Sequence, residues 1–134
     1  MNDYQQRRMT DYVLPQAVYR QALYAVKDLT RMKRKLTYLE ESACLLEGRE
    51  IKIITGGKGK LADFTAKRAV DLATAKTRIK AIEDAFTNVP EAYREAIMDK
   101  LVFDVPYSEE HSINTWKKWQ QILIYHVANN LRLL

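Results

Sequence analysis

The chain has 134 residues and a net charge of +5, which leaves room for one domain, or for one small domain with a helical extension. Its single cysteine, Cys44, excludes an internal disulfide and a cysteine-based zinc site. No apolar run approaches the roughly 20 residues of a membrane span, and no signal-type stretch follows the N-terminus, so we expect a cytoplasmic protein with no membrane association.

A long helix is predicted from Pro15 to about Glu47, ending near Gly48. Proline suits the first helical turn, where its missing N–H needs no partner, and four glycines in the whole chain allow long helices. Apolar residues recur three and four apart, which is the spacing of a heptad seam. They are Ala22, Ala25, Leu29, Met32, Leu36, Leu39, Ala43 and Leu46.

The segment after this helix, residues 50–54, contains an alternation of isoleucine and lysine at Ile51-Lys52-Ile53 that could form a short strand. The glycine cluster that follows predicts a mobile loop near residues 55–60. A phosphate-binding loop is rejected. That motif needs four residues between its glycines and a serine or threonine after its lysine, and here Leu61 follows Lys60.

A second helix is predicted over residues 65–87, with Leu72, Ala75, Ile79, Ile82 and Phe86 on one stripe. Two seams of similar length indicate either an antiparallel hairpin or a dimeric bundle, because both arrangements bury both stripes. The first stripe is longer than the second can cover, so we expect a homo-oligomer formed through the long helices.

The C-terminal part is predicted to form a small three-helix domain. One helix covers about residues 90–103, and Val105-Pro106 marks a break followed by a short segment with room for a turn or two of helix. The last helix covers about residues 114–131, with Asn114 as its N-cap. Its buried stripe is expected to contain Trp116 or Trp119 together with Leu123, Val127 and Leu131. The fold class is therefore all-α, with a coiled-coil-like region at 1–88 and a helix-turn-helix-like domain at 89–134.

Residue patterns for catalysis are absent. His111 and His126 are fifteen apart with no carboxylate at metal-ligand spacing, and Ser42 and Cys44 have no base at hydrogen-bonding spacing in the sequence. We therefore expect a protein that is not an enzyme, with no catalytic residue, no metal and no cofactor.

The last helix suits entry into a DNA major groove, because its first turn is polar and basic while its inner face is rich in tryptophan. The same pattern suits any amphipathic C-terminal helix. The excess of basic residues lies elsewhere, around residues 31–35 and 49–68. If the chain binds DNA, phosphate contacts are expected from these regions, through Arg31, Lys33, Arg34, Lys35, Lys58 and Lys60.

Several short motifs occur in a recognisable order. They are Thr55-Gly56-Gly57-Lys58-Gly59, then Asp63-Phe64-Thr65-Ala66, then Val89-Pro90-Glu91-Ala92-Tyr93-Arg94. In this order, over residues 15–134, the chain resembles phage-encoded regulators of the RinA/ArpU type. The resemblance implies a long helical region, a glycine-rich loop, and a C-terminal helix-turn-helix similar to region four of bacterial sigma factors. It also implies DNA, and RNA polymerase, as partners.

On this resemblance, residues 114–118 match the start of the recognition helix. A glutamine side chain can also reach base edges. The residues expected to contact DNA are therefore Asn114, Thr115, Lys117, Lys118 and Gln121. The interval from Tyr107 to Thr115 is shorter than in a full sigma-type motif by more than a helical turn.

Two functions follow from these observations. The first is a phage or prophage DNA-binding transcriptional regulator whose C-terminal helix reads DNA. The alternative is a helical scaffold or partner-binding phage protein whose shortened helix-turn-helix no longer binds DNA.

Overall fold

The computed structural model describes the backbone of residues 5–49 and 58–134 and the side chains of residues 5–42 and 66–134. Within these ranges the backbone is helical or irregular, with no strand. A 3-10 turn (Thr10–Tyr12) precedes five α-helices. They are α1 (Gln16–Lys27), α2 (Leu29–Arg49), α3 (Lys58–Phe86), α4 (Glu91–Phe103) and α5 (Ile113–Asn130). The described part of the chain is all-α, as predicted.

The predicted first helix begins as expected at Pro15, the N-cap of α1, but it is divided at Asp28. The Asp28 backbone has φ −88° and ψ 2°, and its N–H still donates to the Tyr24 carbonyl at 2.9 Å. The division is therefore a single turn residue between two helices. The predicted apolar seam continues across it, since Leu29 and Met32 are buried.

The segment predicted as a strand and a glycine loop lies mostly outside the described residues, which resume at Lys58. Residues 58–60 were expected to belong to the loop and are instead the first turn of α3. The glycine at position 59 lies in this first turn and not in the middle of the helix, where glycine is destabilising.

Two compact units make up the chain. One contains Met1–Leu29 together with Lys80–Leu134, and the other contains Thr30–Ile79. This division differs from the sequence-based boundary between residues 88 and 89. The reason is that α1 packs against α4 and α5, and the end of α3 contributes Ile82 and Phe86 to the first unit's core.

Helix α5 lies at the centre of the first unit. Five consecutive residues, 120–124, are buried. Because successive residues of a helix point in directions about 100° apart, α5 is covered on every side at this level. The predicted core residues Leu123 and Val127 are fully buried there, and each such side chain contributes roughly 1.5–3 kcal/mol through burial.

The second unit buries residues from both predicted stripes, namely Met32 and Leu39 from α2 and Ala75 and Ile79 from α3. The two helices are also joined by an ion pair, with Lys76 Nζ 3.7 Å from Glu40 Oε1. Both side chains are half-exposed, so this pair contributes at most about 1 kcal/mol. Burial of the apolar side chains contributes more to the association of α2 with α3.

The C-terminal part contains two helices where three were predicted. Helix α4 ends at Asp104, which adopts a left-handed conformation (φ 57°, ψ 33°), and the Val105 N–H closes the turn on the Asp99 carbonyl. Residues 104–112, here called the α4–α5 connection, form no helix. Pro106 contributes to this, because the residue before a proline is disfavoured in the α conformation.

Candidate functional site

The start of α5 is set by Ser112. Its Oγ accepts a hydrogen bond from the Thr115 N–H at 3.3 Å, so Ser112 is the N-cap and the predicted cap, Asn114, lies inside the first turn. A serine oxygen at this position satisfies one of the N–H groups that the helix leaves without a partner. Asn114 is therefore not the N-cap, and its side chain is exposed to solvent.

The five residues predicted to contact DNA do not share one exposed surface. Asn114 and Lys118 are exposed and lie four residues apart, on one face of α5. Thr115 and Lys117 are half-buried, and Lys117 already interacts with another group of the protein. Gln121 is buried, with 2% of its surface exposed.

Gln121 holds the N-terminal strap, residues 5–14, against α5. Its Oε1 accepts from the Gln6 N–H at 2.6 Å, and its Nε2 donates to the carbonyls of Gln6 and Tyr12, both at 3.2 Å. Since both ends of the amide are bonded, Gln121 does not reach a base edge, and the prediction for this residue is wrong. Gln121 was expected at the surface because it is polar and lies in the first half of α5. The spacing of apolar residues in the sequence does not indicate that the strap covers it.

Further contacts fix the conformation of the strap. The Gln5 side chain accepts from the Leu14 N–H at 2.6 Å and donates to the Leu14 carbonyl at 2.8 Å. The Tyr12 ring meets Tyr125 of α5 edge-on, at 5.3 Å between ring centres. The strap is therefore bonded at several points along its length, which was not predicted from the sequence.

A groove opens between the strap and the start of α5. It encloses about 350 Å³ and is lined by Gln6, Arg8, Met9, Asn114, Thr115 and Lys118. None of these lining residues is acidic. The Arg8 guanidinium lies 3.3 Å and 3.4 Å from Gln6 Oε1, and the Lys118 ammonium lies 4.9 Å from the centre of the Trp119 ring. Two cations thus border one groove.

The α4–α5 connection is held onto α5 by aromatic packing. Tyr107 stacks on Trp116 with ring centres 4.9 Å apart and ring planes nearly parallel, and the Trp116 Nε1–H donates to the Ser108 carbonyl at 3.1 Å. The Tyr107 hydroxyl donates to Gln120 Oε1 at 2.6 Å. Burial raises the pKa of Tyr107, and its proximity to Tyr19 adds to the rise. These contacts hold the α4–α5 connection against α5.

Three more rings extend this aromatic packing to the surface. Tyr93 of α4 lies 4.9 Å from His111 and 5.8 Å from Trp119, measured between ring centres. Trp119 and Tyr93 are half-buried and His111 is exposed, whereas Trp116 has 2% of its surface exposed. Of the two tryptophans offered as core residues, Trp116 is therefore the buried one.

The residues predicted to contact phosphate lie in the second unit. Arg31, Lys33, Arg34 and Lys35, here called the basic tract, are all exposed on α2, while Met32 between them is buried. Arg31 and Lys33 interact with other groups of the protein. Lys58 and Lys60 lie in the first turn of α3, and their side chains fall outside the described residues.

Comparison of the chain with protein-family models, with curated proteins and with solved structures finds no match in any of the three. Among the described residues, no three His, Cys, Asp or Glu side chains gather as ligands for a metal ion. No described helix combines the length and the apolar character needed to cross a bilayer. The strap, the groove and the start of α5 are therefore the features of the described residues that bear on function.

Proposed function

We propose that this chain is a DNA-binding transcriptional regulator of phage or prophage origin, and that the first two turns of α5 contact DNA. The observation that carries the proposal is the contrast along α5. Asn114 and Lys118 are exposed at its start, whereas residues 120–124 are buried in the core. Recognition helices of helix-turn-helix proteins contact base edges with their N-terminal residues, and a buried continuation holds such residues in a fixed orientation.

The exposed side chains have suitable chemistry for DNA. An asparagine amide can bond to both N6 and N7 of adenine, and a lysine ammonium can bond to guanine O6 and N7 or to a phosphate. The half-buried Thr115 lies beside Asn114, and its hydroxyl is hydrogen-bonded to Ser112 Oγ at 3.0 Å, which leaves it a further bond to a base or a phosphate. The net charge of +5 favours association with a polyanion.

The exposed part of α5 is short, which limits the number of base pairs that one chain reads. A symmetric dimer on two half-sites doubles that number. We therefore propose a homo-oligomer formed through the long helices. We also propose phosphate contacts from the basic tract and RNA polymerase as a partner in transcription. Gln121 does not belong to this proposal, because its amide is engaged by the strap.

The test is a fluorescence-anisotropy titration of the full chain on duplex DNA from its own coding region and on a pool of random duplexes. Measurements at about 50 mM and about 200 mM salt separate electrostatic binding from other association. We expect binding that weakens as salt rises, with one duplex bound more tightly than the pool. Absence of binding to both at the lower salt rejects the regulator.

A second candidate function is a helical scaffold or partner-binding protein. The burial of Gln121 favours it, because one of the residues expected to contact DNA is withdrawn from the surface. The half-buried pair Tyr93 and Trp119 gives the same region an aromatic surface of the kind enriched in protein interfaces. Self-association of the chain without any DNA binding would establish this candidate in place of the first.

A further inference from the structure

We propose that Arg8 and Lys118, which border the same groove, bind the phosphate backbone of duplex DNA beside the base contact made by Asn114. This inference rests on the proposed function and adds to it a contact from the N-terminal strap, which the resemblance to phage regulators does not supply. The ligand class is a phosphodiester, which is recognised by charge and not by base sequence.

Arg8 is tied to the strap by a contact with Gln6, whose main chain is in turn bonded to the core. The buried Gln121 amide bonds to the Gln6 main chain, and the Gln6 side-chain oxygen in turn bonds to the Arg8 guanidinium. A surface arginine loses side-chain entropy when it is immobilised by a ligand. The contact with Gln6 restricts the Arg8 side chain before DNA binds, which lowers that loss.

The charges around the groove complement a phosphate. Arg8 and Lys118 are both cationic and both exposed, and none of the described lining residues is acidic. A guanidinium can donate two parallel hydrogen bonds to phosphate oxygens, and an ammonium acts as a mobile point charge. The remaining polar side chains of the groove, on Asn114 and Thr115, lie on the first turn of α5, so a phosphate bound here lies next to the proposed base contact.

The neighbouring residue Arg7 provides a contrast within the strap. Arg7 is also exposed, but it lines a different cavity, of about 550 Å³, together with Val13, Leu14 and Gln16. Replacing Arg7 with alanine removes the same charge one residue away without removing a side chain from the groove. It is therefore a matched control for replacing Arg8, and Arg20 on the exposed face of α1 is a second one.

The experiment measures DNA affinity of the full-length wild type and of the Arg8→Ala, Lys118→Ala, Arg7→Ala and Arg20→Ala variants between about 50 and 200 mM salt. Each phosphate contact releases close to one counterion, so loss of Arg8 or Lys118 should lower the slope of log Kd against log salt by about one, and loss of both by about two. Each single change should weaken binding roughly tenfold at the lower salt, because a charged hydrogen bond is lost. The Arg7 and Arg20 variants should keep the wild-type slope.

A positioning variant tests the chain of hydrogen bonds. Gln121→Leu should weaken DNA binding without removing a charge, and Arg8→Ala should have a smaller effect in the Gln121→Leu background than in the wild type. Circular dichroism of each variant reports whether the fold is kept. If Gln121→Leu unfolds the chain, the two surface variants still decide the proposal.

The outcomes separate the inference from the proposed function. Wild-type chain that binds no duplex, or that binds only single-stranded RNA, overturns both. Wild-type chain that binds duplex with Arg8 and Lys118 variants equal to the controls overturns the inference and leaves the proposed function standing. A calorimetric titration with inorganic phosphate distinguishes the two sources of a phosphate group. Heat of binding that depends on Arg8, combined with unchanged DNA affinity of its variant, overturns the DNA contact.

Discussion

The side chain of Gln121 is hydrogen-bonded at both ends to the main chain of Gln6, which precedes it by 115 residues. The Gln6 N–H donates to Oε1 and the Gln6 carbonyl accepts from Nε2, so one amide side chain closes the strap onto α5. Buried polar groups are tolerated when every donor and acceptor has a partner. Gln121 therefore stabilises the position of the strap. Replacing Gln121 should destabilise the strap, although the strap is more than a hundred residues away in the sequence.

Replacing Gln121 with leucine is expected to lower the free energy of unfolding by about 1–3 kcal/mol, because three hydrogen bonds disappear and the main-chain groups of the strap lose their partners. Urea unfolding followed by circular dichroism measures the change. Gln21→Leu, the same substitution at an exposed position of α1, serves as the control and should change stability by less than about 0.5 kcal/mol. Equal stability of the two variants would contradict the role given to Gln121.

Hydrogen exchange should show where that loss is located. In the Gln121→Leu variant, the amides of Gln6 and Leu14 should exchange faster than in the wild type, while those of residues 120–124 keep most of their protection. Local opening of a surface segment needs less free energy than global unfolding. Uniformly faster exchange across the first unit would show instead that the strap and the core open together.

Replacing Tyr107 with phenylalanine should cost about 1–3 kcal/mol of unfolding free energy, because the buried Gln120 oxygen loses its donor. Tyr24→Phe, at a tyrosine with 61% of its surface exposed, is the control and should be nearly neutral. Both are compared in urea at neutral pH. A destabilisation that is no larger for Tyr107 than for Tyr24 would mean that the hydroxyl contributes nothing to holding the α4–α5 connection.

The same pair of variants has an expected pH dependence. Burial raises the pKa of Tyr107, so above about pH 10 the phenol ionises more readily in the unfolded chain than in the folded one. Stability contributed by this group is present at lower pH and is lost as pH rises beyond that value. The wild type should therefore lose more stability than the Tyr107→Phe variant between neutral pH and about pH 10.5.

Much of the helical framework was predictable from apolar spacing. The stripe residues Leu29, Met32 and Leu39 and the core residues Leu123 and Val127 are buried as expected. Proline at positions 15 and 90 marked the starts of α1 and α4 to within a residue. These features depend on local periodicity and on helix-terminal chemistry, both of which are present in the sequence itself.

The candidate site was less predictable, because it depends on contacts between residues far apart in the sequence. Gln121 was predicted to be exposed because it is polar. The strap that covers Gln121 has no apolar periodicity from which its position could be predicted. Asn114 was expected as the cap, but Ser112, two residues earlier, accepts the capping bond. Both serve as caps equally well, so only the backbone geometry distinguishes them.

The two tryptophans should differ in their contribution to stability. Trp116→Ala is expected to lower the free energy of unfolding by about 3–5 kcal/mol, because a buried aromatic side chain is removed and a cavity remains. Trp119→Ala should cost clearly less, since the side chain is half-exposed. In the single-tryptophan variants Trp116→Phe and Trp119→Phe, acrylamide should quench the fluorescence of Trp119 more strongly than that of Trp116. The reverse order would contradict the packing described.

His126 should make the first unit less stable in mild acid. Partial burial lowers its pKa, so as pH falls the unfolded histidine takes up a proton near pH 6.5 while the folded one is still neutral. Stability is therefore kept above that pH and lost below it. Proton NMR of the His126 ring should give a pKa below the value in an unfolded peptide. The His126→Phe variant should lose less stability than the wild type on acidification.

The proposed homo-oligomer is expected to form through the second unit. Tyr38 of α2 and Val70 of α3 keep 61% and 63% of their surface exposed, although both are large apolar side chains. Met32, a seam residue, is buried within a single chain. A charge introduced at Met32 would destabilise the core of this unit as well as any assembly. Exposed positions are the better probe, because substitutions there leave the core unchanged.

We expect the Tyr38→Glu and Val70→Glu double variant to weaken a homo-oligomer by at least tenfold in Kd, which is about 1.4 kcal/mol, because a carboxylate placed in an apolar interface must lose its hydration. Light scattering at several protein concentrations measures the mass, and circular dichroism checks that the helices remain. Thr77→Glu, at an exposed polar position of α3, adds one of the same charges and should leave the mass unchanged. A wild type that is strictly monomeric at high micromolar concentration would contradict the oligomer itself. A double variant with the same mass as the wild type would instead show that the chains meet through another surface.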